Sequence, residues 1–288
     1  MQIRRIAGSL LASLAIALCL TLTAPQAAAQ KFTAVNVPGA TETDCNDINS
    51  AGIIIGTYVD SSGIDHGFAV IGTTIKTFDF PGATGTFGYG INDNNQAVGW
   101  YNDTNGIQHG WVYNAGKFTS IDPPGSTLTN AWSINKTGVI DGAYVDSSGV
   151  YHGFTLSNGT YTTFSAPNGA ILTEFTGIND AGAQVGIFDD SAGTEHGFSL
   201  INGTFTQIDV PNATVTASDR INNQNLIVGL FGSSTSGPFS GYVLSGKTFT
   251  TIMYPGSTET RTRGLNASTA VGRYTDSSGV IHGYTVTK

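Results

Sequence analysis

Five pairs of residues in this chain have the types and spacing that acid–base chemistry uses. Asp60 and His66, Asp103 and His109, Asp146 and His152, Asp190 and His196, and Asp276 and His282 each place a carboxylate six residues before an imidazole. A carboxylate that accepts from one imidazole N–H orients the ring, which is half of a general-base or nucleophile-activating arrangement. The lack of a dedicated nucleophile does not exclude such chemistry, but repetition does. An active site is normally one asymmetric constellation, whereas a group that returns in five of six copies is architecture. In the copy that lacks the pair, Ser234 and Ser240 replace acid and histidine together, as expected if each side chain needs the other. The expected role is therefore to pin a loop.

The loops themselves read Asp-Ser-Ser-Gly or close to it, which favours an Asx-turn closed by glycine. Each carries a single carboxylate, while a tight calcium site takes roughly 6–8 oxygens, so no metal is expected. There is no H-E-x-x-H, C-x-x-C or Gly-rich phosphate loop, and no cofactor is expected. Cys45, the one cysteine beyond residue 19, is expected to be packed rather than reactive.

These pairs belong to a long repeat. An Ile/Leu-Asn step ends at Asn49, Asn92, Asn135, Asn179, Asn222 and Asn266, a spacing of 43 or 44 residues, and a glycine follows seven residues later in the first five units and six later in the last. Within a unit, short runs of β-branched and aromatic residues alternate with turn signals and no helical period appears. In the third unit, strand a approaches Asn135, strand b runs from Val139 to Tyr144, strand c from His152 to Leu156 and strand d from Tyr161 to Ser165. Four strands in about 43 residues is the size of a propeller blade. The segment Lys31 to Val37 reads as a strand d with no a, b or c of its own, and the last unit stops after its strand c. The expectation is an all-β, six-bladed β-propeller of four-stranded blades, closed by the N-terminal strand completing the last blade.

Arg4 and Arg5 precede an apolar run, Ile6 to Leu22, that ends in TAPQAAAQ. This has the pattern of a secretory signal peptide. Residues 1–29 are thus expected to be a signal peptide and 30–288 a single six-repeat propeller domain, secreted, extracellular or periplasmic after cleavage. No later segment has the apolar length of a membrane helix, so membrane insertion is not expected. The chain has 12 Lys plus Arg against 20 Asp plus Glu, a formal charge of −8, and loses two more arginines with the leader. Nucleic acid is not an expected partner.

The unit pattern F-x-x-I-D-x-P-G, I-N-D-x-G, V-G-x-Y, D-S-S-G and H-G-F resembles the HAF-type extracellular repeats of secreted bacterial proteins, with Gly in the middle of the His-Ala-Phe signature. The resemblance covers the whole of the chain after the leader. It implies an extracellular, propeller-like repeat protein and brings no defined chemistry.

Function should lie where the copies disagree. After a threonine present in every unit stands Asp44, Phe87, Asn130, Glu174, Ala217 or Arg261, and two residues on stands Asn46, Tyr89, Trp132, Thr176, Asp219 or Arg263. In extended chain the two positions share a side. They are expected at the mouth of the central channel, on the face that also carries the Asp-Ser-Ser-Gly loops, with Tyr89 and Trp132 at the centre of a ligand surface. All but Ala217 are candidate binding residues. The expected function is a non-catalytic binding propeller whose ligand, an unknown glycan or cell-envelope component, is covered by aromatic faces. The alternative is a glycan-cleaving hydrolase or lyase pairing Glu174 with Asp44 or Asp219.

Overall fold

The structure, a computed structural model, describes residues 30–287; the expected leader lies outside the described residues. Six four-stranded antiparallel sheets form a ring, each blade a meander whose strand a is innermost. The inner strands are Glu42–Ile48, Gly85–Ile91, Leu128–Ile134, Leu172–Ile178, Val215–Ile221 and Glu259–Leu265. In the third blade, strands b, c and d are Ile140–Val145, Tyr151–Ser157 and Thr160–Phe164, each within a residue of its expected position. The N-terminal strand Lys31–Val35 pairs antiparallel with Ile281–Thr287, from Lys31 opposite Thr287 to Val35 opposite Gly283. This fourth strand closes the sixth blade.

The blades pack face to face through small apolar clusters, one such cluster joining Val37, Cys45 and Phe68 to Val271 of the last blade. Cys45 is fully buried there, and burial pushes its thiol well above the ordinary range. The recurrent threonine is a buried latch: the Thr43 hydroxyl accepts from the Val37 N–H at 3.1 Å, and Thr86, Thr173, Thr216 and Thr260 repeat the bond at 2.9–3.0 Å. In blade 3 the donor position is Pro123, which has no N–H, and Thr129 turns to the Ser126 hydroxyl instead.

Each recurrent asparagine does two jobs. Asn135 Oδ1 accepts from the N–H groups of Thr137 and Val139, closing its own turn, while its Nδ2 donates to the carbonyl of Asn179 in the next blade. The same inter-blade bond runs from Asn49 to Asn92, Asn92 to Asn135, Asn179 to Asn222, Asn222 to Asn266, and Asn266 back to Asn49, at 2.8–3.2 Å. It is a ring of six hydrogen bonds around the channel, at the end opposite the Asp-His loops.

The Asp-His pairs hold those loops. Asp146 Oδ1 accepts from the N–H groups of Ser148 and Val150, and its Oδ2 lies 3.2 Å from His152 Nε2. The other ring nitrogen of each histidine reaches the end of strand d: His66 to Asp79, His109 to Asp122, His152 to Ser165, His196 to Asp209, all at 2.8–3.0 Å, and His282 to Asn36 at 2.9 Å. One imidazole therefore ties loop, strand c and strand d together.

Candidate functional site at the channel mouth

Every inner strand carries a register shift at the same place, for example between Ala131 and Ser133 opposite strand b. The extra residue of the six bulges is Asn46, Tyr89, Trp132, Thr176, Asp219 or Arg263. A bulge breaks the two-residue alternation and re-aims the side chain at that point. All six line one cavity of about 540 Å³ at the mouth of the channel. The recurrent glycine of strand b makes room for the bulge: a Cβ on Gly142 would run into the Asn130 carbonyl, and the other five glycines meet the equivalent carbonyl.

Of the residues two places earlier, Glu174, Ala217 and Arg261 line the cavity, but Asp44, Phe87 and Asn130 do not. This corrects the expectation that both positions face the ligand space. The bulge is the same in all six blades; what differs at the earlier position is the neighbouring side chain, which in the first three blades claims the residue. Asp44 is taken by Arg273 at 3.4 Å and Arg263 at 4.0 Å. Phe87 stacks on Trp100 with ring centroids 3.4 Å apart. Asn130 accepts from the Gln108 amide. Tyr89 and Trp132 do stand side by side, edge to face at 4.4 Å. The cavity is not centred on them: it extends from them toward blades 4 and 5, where Ile187, Asp189, Glu195, Leu230 and Phe239 complete it.

Two features of this opening lie outside the expected set. The first is the fifth blade's b–c loop, the copy without Asp and His. Its Thr235 and the following Phe239 line the cavity, and the Arg261 guanidinium sits 4.7 Å over the Phe239 ring. The deviation in the repeat thus coincides with the opening. The second is Arg220, which forms the floor. Its buried guanidinium crosses the channel axis and donates to the carbonyls of Trp132 at 3.0 Å, Tyr89 at 2.9 Å, Asn46 at 3.4 Å and Thr176, with Asp47 3.5 Å from Nε. The residue at this place alternates around the ring: Asp47, Gly90, Ser133, Gly177, Arg220, Gly264. Each glycine faces the backbone of a larger neighbour, as a Cβ on Gly90 would meet Ser133 Cα and the Trp132 carbonyl at 2.9 Å. Sequence reasoning passed over this position because it lies beside the Ile-Asn step that defines the repeat.

Electrostatically the cavity has two walls. On the blade 6 side, Asp219 lies 3.5 Å from Arg263, and Arg261 is held by Glu259. Burial works against the charge of Arg263, but Asp219 and Asp44 hold its proton more tightly than usual. On the blade 4 side, burial and then the neighbouring Glu195 push the Glu174 carboxyl up to about 7. Burial and then Asp189 push Glu195 up to about 7 as well. Five buried polar atoms of lining residues have no hydrogen-bond partner within normal geometry: the acceptors Asn46 Oδ1 and Asp219 Oδ2, and the donors Trp132 Nε1, Arg220 Nε and Arg263 Nε.

No protein-family model and no curated protein matches this chain. Solved structures do. The lectin of Aleuria aurantia, a six-bladed β-propeller with fucose recognition, is 10% identical over 88% of this chain and 93% of its own, with a TM-score of 0.53. A triple-arginine variant of AofleA from Arthrobotrys oligospora is 13% identical over 89% and 86% of the two chains, with a TM-score of 0.53. The propeller domain of the Trilobed protease from Pyrococcus furiosus, with an open velcro topology, is 9% identical over 86% and 94%, also at 0.53. At these identities the likeness is one of fold.

Proposed function

We propose that this chain is a secreted glycan-binding propeller of the HAF-repeat type, with its ligand in the channel-mouth cavity. The observation that carries the reading is the mixed lining of the cavity, in which the aromatic residues Tyr89, Trp132 and Phe239 stand beside both hydrogen-bond donors and acceptors, among them Arg261, Asn46, Thr176 and Glu174. An unpaired buried polar atom costs roughly 1–3 kcal/mol. A ligand hydroxyl both donates and accepts, so a polyol relieves such a mixed set where an apolar ligand would not. The aromatic rings supply the flat apolar faces that sugar rings cover. A volume of about 540 Å³ falls within the roughly 300–1,000 Å³ usual for small-ligand sites. The lectin neighbours support the reading through shared architecture.

The hydrolytic alternative changes its residues. Asp44 is outside the cavity and Asp219 is ion-paired with Arg263, so the carboxyls free to act are Glu174, Asp189 and Glu195. The test of both readings is a glycan array followed by titration of the hits and an assay for new reducing ends. The double variant Tyr89→Ala/Trp132→Ala is expected to weaken binding at least about tenfold, or roughly 1.4 kcal/mol. A variant that folds and binds like the wild type overturns the placement of the site, and turnover of a bound glycan selects the alternative.

A further inference from the structure

We infer that the mouth takes an amine-bearing saccharide, its ammonium group seated against Glu174 and Glu195. This rests on the glycan reading above and names the class of sugar. The charges around the cavity are unevenly matched. Arg220 is committed to four carbonyls and Asp47, Arg263 to Asp219 and Asp44, and Arg261 to Glu259. On the opposite wall, Glu174, Asp189 and Glu195 have no lysine or arginine within ion-pair distance among the described residues. Glu174 is only 9% exposed, lines the cavity and makes no conventional hydrogen bond. The Trp132 indole N–H beside it only partly offsets that burial.

A carboxylate held that way is desolvated without compensation, and burial favours its neutral form. An incoming ammonium supplies the missing counter-charge in a low-dielectric site and gains further attraction from the Trp132 ring beside it. A neutral sugar would leave the carboxyls uncompensated, and an acidic sugar would be repelled by them. A lysine or arginine side chain would match the charge but brings donors only, whereas the cavity is lined by donors such as Arg261 as well as by acceptors. The hydroxyls of a sugar provide both kinds of group.

The test is calorimetric titration of the mature chain at neutral pH with glucosamine oligomers, their N-acetylated counterparts of equal length, and oligolysine. The glucosamine oligomer is expected to bind about tenfold or more tighter than the acetylated one. Glu174→Gln, and separately Glu195→Gln, should erase that preference, so that on each variant the two oligomers bind with equal affinity. Glu195→Gln carries the test alone if Glu174→Gln does not fold. Equal binding of the two oligomers, or a preference untouched by these substitutions, overturns the amine assignment and leaves the glycan reading in place. Oligolysine binding as tightly as the glucosamine oligomer overturns the saccharide class. Failure of both sugar oligomers to bind overturns this inference, whereas the glycan reading then falls only if the array is also blank.

Discussion

Each of the five histidines is hydrogen-bonded at Nδ1, faces its loop aspartate through Nε2 at 3.2–3.8 Å and packs against an aromatic residue of strand b, as His109 does on Tyr101 at 5.3 Å. An imidazole so occupied positions backbone and has no free nitrogen for proton transfer. His109→Ala should lower the thermal midpoint by about 2–4 °C and leave glycan binding unchanged; scanning calorimetry with a binding isotherm checks both. The loop aspartates are held below the usual carboxylate range, Asp146 first of all by the Val150 N–H and then by His152. Because the folded-state value is depressed, the stabilisation is fully present above the unfolded value of about 3.9 and is lost as pH falls through the folded one. The midpoint should therefore drop steeply below about pH 4, and less steeply in Asp146→Asn. Arg220 is the opposite case, a single unrepeated residue. Arg220→Met removes one partner of a buried pair and leaves Asp47 alone, at a cost of about 3–5 kcal/mol. It also releases the bulge carbonyls that Arg220 gathers. Denaturant unfolding and glycan titration should both be impaired, and a variant that binds normally would show that the floor does not shape the mouth.

At the scale of the element, the bulge is what converts a structural strand into one that can present a ligand-facing side chain. Without it, strict alternation would aim the variable residue along the blade face. The bulge in turn requires glycine on strand b, since any Cβ there would overlap the inner-strand carbonyl. This is why the glycine six or seven residues after each asparagine recurs while the bulged residue varies freely. Gly142→Ala should cost about 1–3 kcal/mol through overpacking and shift Trp132 in the mouth. The check is a lowered midpoint together with weakened glycan binding. A loss of stability with unchanged affinity would show that the bulge geometry is set elsewhere.

For the whole molecule, the problem is joining the last blade to the first. Two devices do it: the strand Lys31–Val35 alongside Ile281–Thr287, and the Asn266-to-Asn49 bond that completes the asparagine ring. Residues far apart in the chain can then be treated as neighbours, and the channel can be shaped by contacts across it. Deleting Lys31 to Val37 strips the sixth blade of its outer strand and removes Val37 from the seam core. The truncated chain should unfold earlier or self-associate through the exposed edge, which size-exclusion chromatography and thermal melts would reveal. A monomeric deletion variant with an unchanged midpoint would show that the asparagine ring alone suffices.

The sequence by itself determined the number of blades, the order of strands, the closing strand, and the structural role of the Asp-His pairs. All of these rest on local rules, such as the period of a strand, the chemistry of an Asx-turn and the spacing of a repeat, and six copies multiply each weak local signal. It also located the variable positions, from Asn46 to Arg263, that the structure brings together. Only the tertiary structure decided that Asp44, Phe87 and Asn130 are claimed by neighbouring side chains, because their partners Arg273, Trp100 and Gln108 stand on other strands and nothing in the repeat pattern shows which side chains they meet. Only the closed ring could bring Arg220 to the carbonyl of Asn46, 174 residues away, and only the pairing of strands within the fourth blade sets Glu195 near Glu174. Charge matching is a property of distances through space, and the ring fixes those distances only once it has closed.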